Sequence, residues 1–238
     1  MSTDAVGSAR AEHERGDALD HMTWSALSGP LARLAVRRGR AARLPAEVSP
    51  FCAVEPGSGA WDDLARLMGP GGEVLLDDPD PSIPRTWERL ATLRGVQLVD
   101  DGVVGEVAPE VVALTRADVP EMLDLTARTQ PGPFSSRTIE MGSYLGVRDG
   151  GGLVAMAGER LRVPGWTEIS AVCTADSHRG RGLASTLVRA VVAGIRERGD
   201  RPLLCTLAAN TGAIRLYEQL GFRLRRELDF ASFRVPGL

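Results

Sequence analysis

The sequence predicts a mixed α/β protein. Short apolar runs of strand length alternate with stretches whose apolar residues fall on one helical face. Glycine and proline clusters punctuate the changes from one to the other. In the second half the order reads β-α-β-β-β-α-β-α-β, which fits a mixed sheet with helices on both faces. With 238 residues and 43% apolar content, the chain can fill such a core.

The elements follow in order. Residues 1–20 are polar and charged and are expected to form a disordered leader. Residues 21–105 read as a small α/β half. A helix is expected after Pro30, from Leu31, Leu34 and Ala35, followed by a strand in SPFCAV. Trp61, Leu64, Ala65 and Met68 share a helical face that stops at Gly69. EVLL and VQLV are short strands around a weaker helix containing Trp87, Leu90 and Leu93. The stretch 100–110, DDGVVGEVAPE, is the expected linker.

A second module is expected over 110–238. VVAL is its first strand, and Asp118, with Glu121 three residues on, caps a helix bearing Val119, Met122, Leu123 and Thr126. The prolines of QPGPFSS end that helix. Three strands follow, turning at Gly150-Gly151-Gly152 and at Pro164-Gly165. Leu183, Leu187, Val188, Val191 and Ile195 form an amphipathic helix ending at Gly199, and PLLCTLAA is a buried strand. Asn210 caps a short helix that ends at Gly221, and FRLRRELDFASFRV alternates as a final strand.

Composition narrows the chemistry. A net charge of -3 argues against general nucleic-acid binding. All 28 basic residues are arginine, which excludes a P-loop lysine and a Schiff-base lysine. No apolar run reaches membrane-spanning length and no signal peptide is visible, so the expected setting is cytoplasmic. Cys52, Cys173 and Cys205 are odd in number and widely spaced, as buried thiols are, and the histidines offer no metal-ligand spacing. No metal is expected.

The chemically informative stretch is AVCTADSHRGRGLA, where Arg179-Gly180-Arg181-Gly182 separates a strand from a helix that has no polar N-cap. Helix N-termini attract anions, and glycines let a phosphate approach the backbone. The alternative is an ordinary strand-to-helix turn that uses glycine for its backbone angles. Arg179-Gly180-Arg181-Gly182-Leu183-Ala184 resembles the acyl-CoA signature Arg/Gln-x-x-Gly-x-Gly/Ala of the GCN5-related N-acetyltransferase (GNAT) family. Asn210 and LYEQLGF match that family's second hallmark, and the resemblance, closest to its FR47-like branch, covers about 110–238.

That resemblance implies a sheet in which the strand TEISAVCT splays from LLCTLAA. The pantetheine arm of acetyl-CoA, the co-substrate, would pair with Val172, Cys173 and Thr174. The pyrophosphate would sit on the N–H groups from Arg179 through Gly180, Arg181, Gly182 and Leu183 to Ala184, and Asn210 would touch the arm. The acceptor would be an amine of a small molecule or peptide, with no nucleic-acid or membrane partner, and the protein a monomer or homodimer. Tyr217 matches the general acid that protonates the leaving thiolate, and its alternative role is packing on the sheet. Glu168 matches a base found in some members, its alternative being a solvated strand residue, and Glu159 competes with it. A non-catalytic acyl-CoA-binding module and a nucleotide-phosphate binder are the competing functions. The N-terminal half either shapes the acceptor site or is a decayed copy of the fold.

Overall fold

The computed structural model describes residues 18–237. Most of the expected leader therefore lies outside the described residues. Its last residues do not behave as a leader, because Ala18 and Leu19 are buried.

The first helix, α1 (Met22–Ser28), precedes Pro30 instead of following it. Met22, Ala26 and Leu27 form its buried face, and Gly29 ends it. The expected helix over Leu31–Ala35 is a series of turns whose Leu31 drops into the same cluster. Three short strands, β1 (Val36–Arg38), β2 (Ala41–Arg43) and β3 (Cys52–Val54), form a separate antiparallel sheet. Helix α2 (Trp61–Met68) packs Trp61 and Leu64 inward, and β4 (Glu73–Asp77) follows.

The largest correction concerns residues 88–100. The weak helix expected around Trp87, Leu90 and Leu93 is the first half of a 13-residue strand, β5 (Glu88–Asp100). Trp87 is buried against Trp61, edge to face with ring centroids 6.0 Å apart, just ahead of it. An i, i+3 spacing of apolar residues mimicked a helix. Antiparallel pairing with the chain's last strand, residues 222–234, over nearly the whole length of β5 overrode that local signal.

From residue 111 the expected order holds: β6 (Val111–Leu114), α3 (Val119–Thr129), β7 (Tyr144–Asp149), β8 (Gly152–Val163), β9 (Trp166–Thr174), α4 (Leu183–Glu197), β10 (Arg201–Leu207), α5 (Thr211–Leu220) and β11 (Phe222–Arg234). One detail moves. The capping box forms a turn earlier, from Thr115 to Asp118, and opens a 3-10 turn ahead of α3. Asp118 and Glu121 instead hold Arg148 of β7 at 2.5 Å and 2.9 Å.

The main sheet has eight strands in the order β4-β11-β5-β10-β9-β8-β7-β6. Thus β5 lies between β10 and β11, antiparallel to both. The expected linker at 100–110 follows β5 but does not separate two cores. Val103 within it is fully buried, and Asp100 accepts hydrogen bonds from Arg196 of α4 at 2.8 Å and 3.0 Å. Both halves of the chain build one sheet.

Helix α4 covers one face. Leu187, Val188, Val191, Val192 and Ile195 recur at helical spacing and pack on Val96, Leu98, Ala155, Ile169 and Leu204. On the other face α1 packs against Val99, Leu161, Val163 and Leu203. Helix α3 sets Met122 and Leu125 against Met156 and Cys173. Each such side chain contributes about 1.5–3 kcal/mol through its burial, so the sheet is fixed from both sides around the β9–β10 junction.

Candidate active site

Strands β9 and β10 are parallel and pair only from Trp166/Arg201 to Ile169/Leu204. Beyond that point both run on, to Thr174 and Leu207, without pairing with each other. A local distortion accompanies the split. Ala171 has a φ of 53°, and the β8–β9 register shifts between Met156/Cys173 and Gly158/Ser170. Such a bulge bends the strand and leaves its outer backbone groups without ladder partners.

The split opens on a cavity of about 290 Å³. Ile169, Ser170, Ala171 and Val172 line it from β9, and Cys205, Thr206 and Leu207 from β10. Val172 is therefore on the wall. Cys173 packs in the cluster on the other side, where burial pushes its thiol pKa up and disfavours the thiolate. Thr174 Oγ1 is buried without a hydrogen-bond partner among the described residues.

Past β9 the chain makes a 3-10 turn at Asp176–His178 and reaches Gly180 and Gly182 with φ of 76° and 78°. Both lie in the left-handed region that favours glycine. Gly182 occupies the N-cap of α4 and offers no side chain to its free N–H groups. A Cβ placed at either glycine would meet no atom within 4 Å, so the space above the turn is open. The arginines fold back on the loop. Arg179 pairs with Asp176 at 2.8 Å, and Arg181 donates to the Ser177 carbonyl at 3.3 Å. His178 sits between Ser177 and Asp149 as loop packing. Leu183 and Ala184 open α4, so the turn residues expected to contact phosphate form one continuous N-terminus.

Asn210 both caps α5, accepting from the Ala213 N–H at 3.3 Å, and lines the cavity. Tyr217 of α5 lines it too. Its ring packs edge to face on Phe222 with centroids 6.2 Å apart. Burial pushes the phenol up to about 12, which keeps it protonated at neutral pH.

Glu168 requires correction as a base. It is 1% exposed and accepts two hydrogen bonds from Arg160, Nε to Oε2 at 2.9 Å and Nη2 to Oε1 at 2.6 Å. The Leu161 N–H donates to the same carboxylate at 3.3 Å. A carboxylate committed in this way lacks a free lone pair aimed at an amine, and Glu168 does not line the cavity. Glu159 is no substitute, since Arg198 and Arg162 donate to it at 2.6 Å and 3.3 Å.

Arg160 itself was not singled out from the sequence, although it lines the cavity. Its available signal was position: Arg160 and Glu168 carry opposite charge on the two arms of the hairpin that turns at Pro164-Gly165. The sequence offered the N-terminal half as a possible contributor without naming residues for it. Phe51, Leu75 and Leu93 form part of the wall, with Phe230 of β11, the register partner of Leu93, laying its ring over Gly95. A Cβ at Gly95 would lie 2.5 Å from the Phe230 ring, so glycine is what lets this ring cross β5.

Among the described residues no group of His, Cys, Asp and Glu could hold a metal, and no helix is long and apolar enough to cross a membrane. Residues 144–231 match the family model of the FR47-like proteins. No curated protein matches the chain. Among solved structures, a GCN5-related N-acetyltransferase from Kribbella flavida is 18% identical, with 90% of this chain and 95% of that one covered and a TM-score of 0.58; it shares the fold. A protein from Novosphingobium aromaticivorans described as a GNAT-family acetyltransferase superposes with a TM-score of 0.83 over 90% of this chain and 97% of its own. At 42% identity to that relative, the chain belongs to the GNAT family.

Proposed function

We propose that this protein is an N-acetyltransferase that moves the acetyl group of acetyl-CoA directly to a primary amine. One observation carries the reading: the gap between β9 and β10 leads into a cavity containing Tyr217, and β9 runs on into an uncapped glycine turn. The residues fit a nucleotide thioester. The open space above Gly180 and Gly182 would admit a pyrophosphate to the N-terminus of α4. Unpaired β9 backbone and the orphaned Thr174 hydroxyl would take the amides of the pantetheine arm. Arg179 and Arg181, now folded on their own loop, would turn outward to the phosphates.

The chemistry follows from what the cavity holds. The amine nitrogen attacks the thioester carbonyl, the C–S bond breaks, and Tyr217 donates its proton to the departing sulfur. No carboxylate lines the cavity among the described residues. The amine therefore attacks in its neutral form, and its nitrogen gives a proton to water once the C–N bond has formed. Solvent returns a proton to the Tyr217 phenolate, and the Arg160–Glu168 pair serves to hold the cavity floor.

The test is thiol release from acetyl-CoA with a panel of amino acids, simple amines, polyamines and peptides. Release with at least one acceptor, and a dead or slowed Tyr217→Phe, supports the transferase. Tight acetyl-CoA binding without release for any acceptor favours the non-catalytic binding module instead.

A further inference from the structure

We infer that the acceptor is an apolar α-amino acid, or an amine bearing a carboxylate in the same relation to its nitrogen, and that Arg160 reads the carboxylate. This rests on the transferase reading above and adds the class of acceptor to it.

The first argument is charge. Arg160 is the one ionic side chain among the described residues of the cavity wall. A polyamine or a basic peptide would bring further cations past a guanidinium with no carboxylate to meet them. An amino acid brings its own anion.

The second is the state of Arg160. The side chain is 9% exposed, with Nε and Nη2 given to Glu168 and its Cζ 4.9 Å from the centre of the Phe51 ring. Nη1 has no protein partner among the described residues. Burial works against this charge, but the charge and hydrogen bonds of Glu168 outweigh it and raise its pKa, so the guanidinium stays cationic. A carboxylate makes a charge-assisted hydrogen bond with a guanidinium edge. Glu168 is 1% exposed and is absent from the cavity wall, whereas Arg160 is on it, so the guanidinium is the charged group an entering anion can reach. Because the pair is neutral overall, Arg160 offers a short-range hydrogen bond more than a long-range attraction.

The third is shape. Phe51, Leu75, Leu93 and Phe230 make the wall beyond the split apolar. A leucine- or phenylalanine-like side chain would displace water there, whereas a polar one would lose hydrogen bonds.

The experiment compares acceptors that differ only in the carboxylate: L-leucine against isopentylamine, and L-phenylalanine against phenethylamine, with spermidine as the cationic control. Rates are compared at equal concentrations of neutral amine. The expected result is a kcat/KM for each amino acid about tenfold to a hundredfold above that of its decarboxylated partner, with spermidine poorest. Arg160→Gln should shrink that ratio toward one, mainly through KM. If Arg160→Gln does not fold, the acceptor pairs decide on the wild-type protein alone. Equal or faster turnover of the bare amines or spermidine would overturn the assignment while leaving the transferase standing. No thiol release in any arm would overturn this acceptor assignment, and no release with any member of the wider panel of amines and peptides would overturn the transferase as well.

Discussion

Burial alone changes how Tyr217 titrates. Desolvation holds the phenol up at about 12, so it keeps its proton across the range where an amine loses one. Tyr217→Phe preserves the ring that packs on Phe222 and should lower kcat about 100-fold to 10,000-fold, with acetyl-CoA affinity and Tm nearly unchanged. The raised pKa also has a stability consequence. Below pH 10 the phenol is protonated in both folded and unfolded chains. As pH rises through the interval from 10 to about 12, only the unfolded chain deprotonates, so this contribution to stability is lost there. Chemical denaturation at pH 9 and pH 11 should show a larger drop for the wild type than for Tyr217→Phe. At Glu168 the same scale gives a correction. The residue was legible as a carboxylate on the right strand, but its partner came from the neighbouring arm of a hairpin, and only the folded register pairs Arg160 with it.

At the scale of elements, the sequence disclosed what local chemistry governs. The proline and glycine turns, the apolar stripe of α4 and the Asn210 cap stand where patterning places them. Elements decided by distant partners were not visible. The start of β5 continues a helix-like spacing from Trp87 to Leu90 and Leu93, and pairing with β10 and β11, about a hundred residues or more later in the chain, makes it a strand. The same limit hid the role of Phe51 and Leu75, which carry no motif and reach the cavity through the β3–β4 region. The glycine turn was legible because it is built from contiguous residues, Arg179 to Ala184. Helix α4 is the element on which both the turn and one face of the core depend. Leu187, fully buried, should cost about 2–5 kcal/mol as Leu187→Ala, measured as a shift of the urea midpoint. An exposed change on the same helix, Arg196→Gln, removes only the pair to Asp100 and should cost far less.

For the whole molecule, the position of β5 decides what can stand alone. It joins β10 to β11, so a fragment of residues 110–237 lacks the strand between its last two and should not fold cooperatively. A sharp melting transition and acetyl-CoA binding by that fragment would show that the second half is self-sufficient after all. The central claim is that the split sheet and the glycine turn together bind acetyl-CoA. Its most direct test is a calorimetric titration of acetyl-CoA into the wild type and into Gly182→Glu, each shown to be folded by thermal melting. A glutamate at Gly182 must adopt a φ of 78°, a strain of about 1–2 kcal/mol that this fold should survive, and it places bulk and negative charge at the N-terminus of α4. The account predicts one site on the wild type and no detectable binding to folded Gly182→Glu; equal affinity in the two proteins would contradict it.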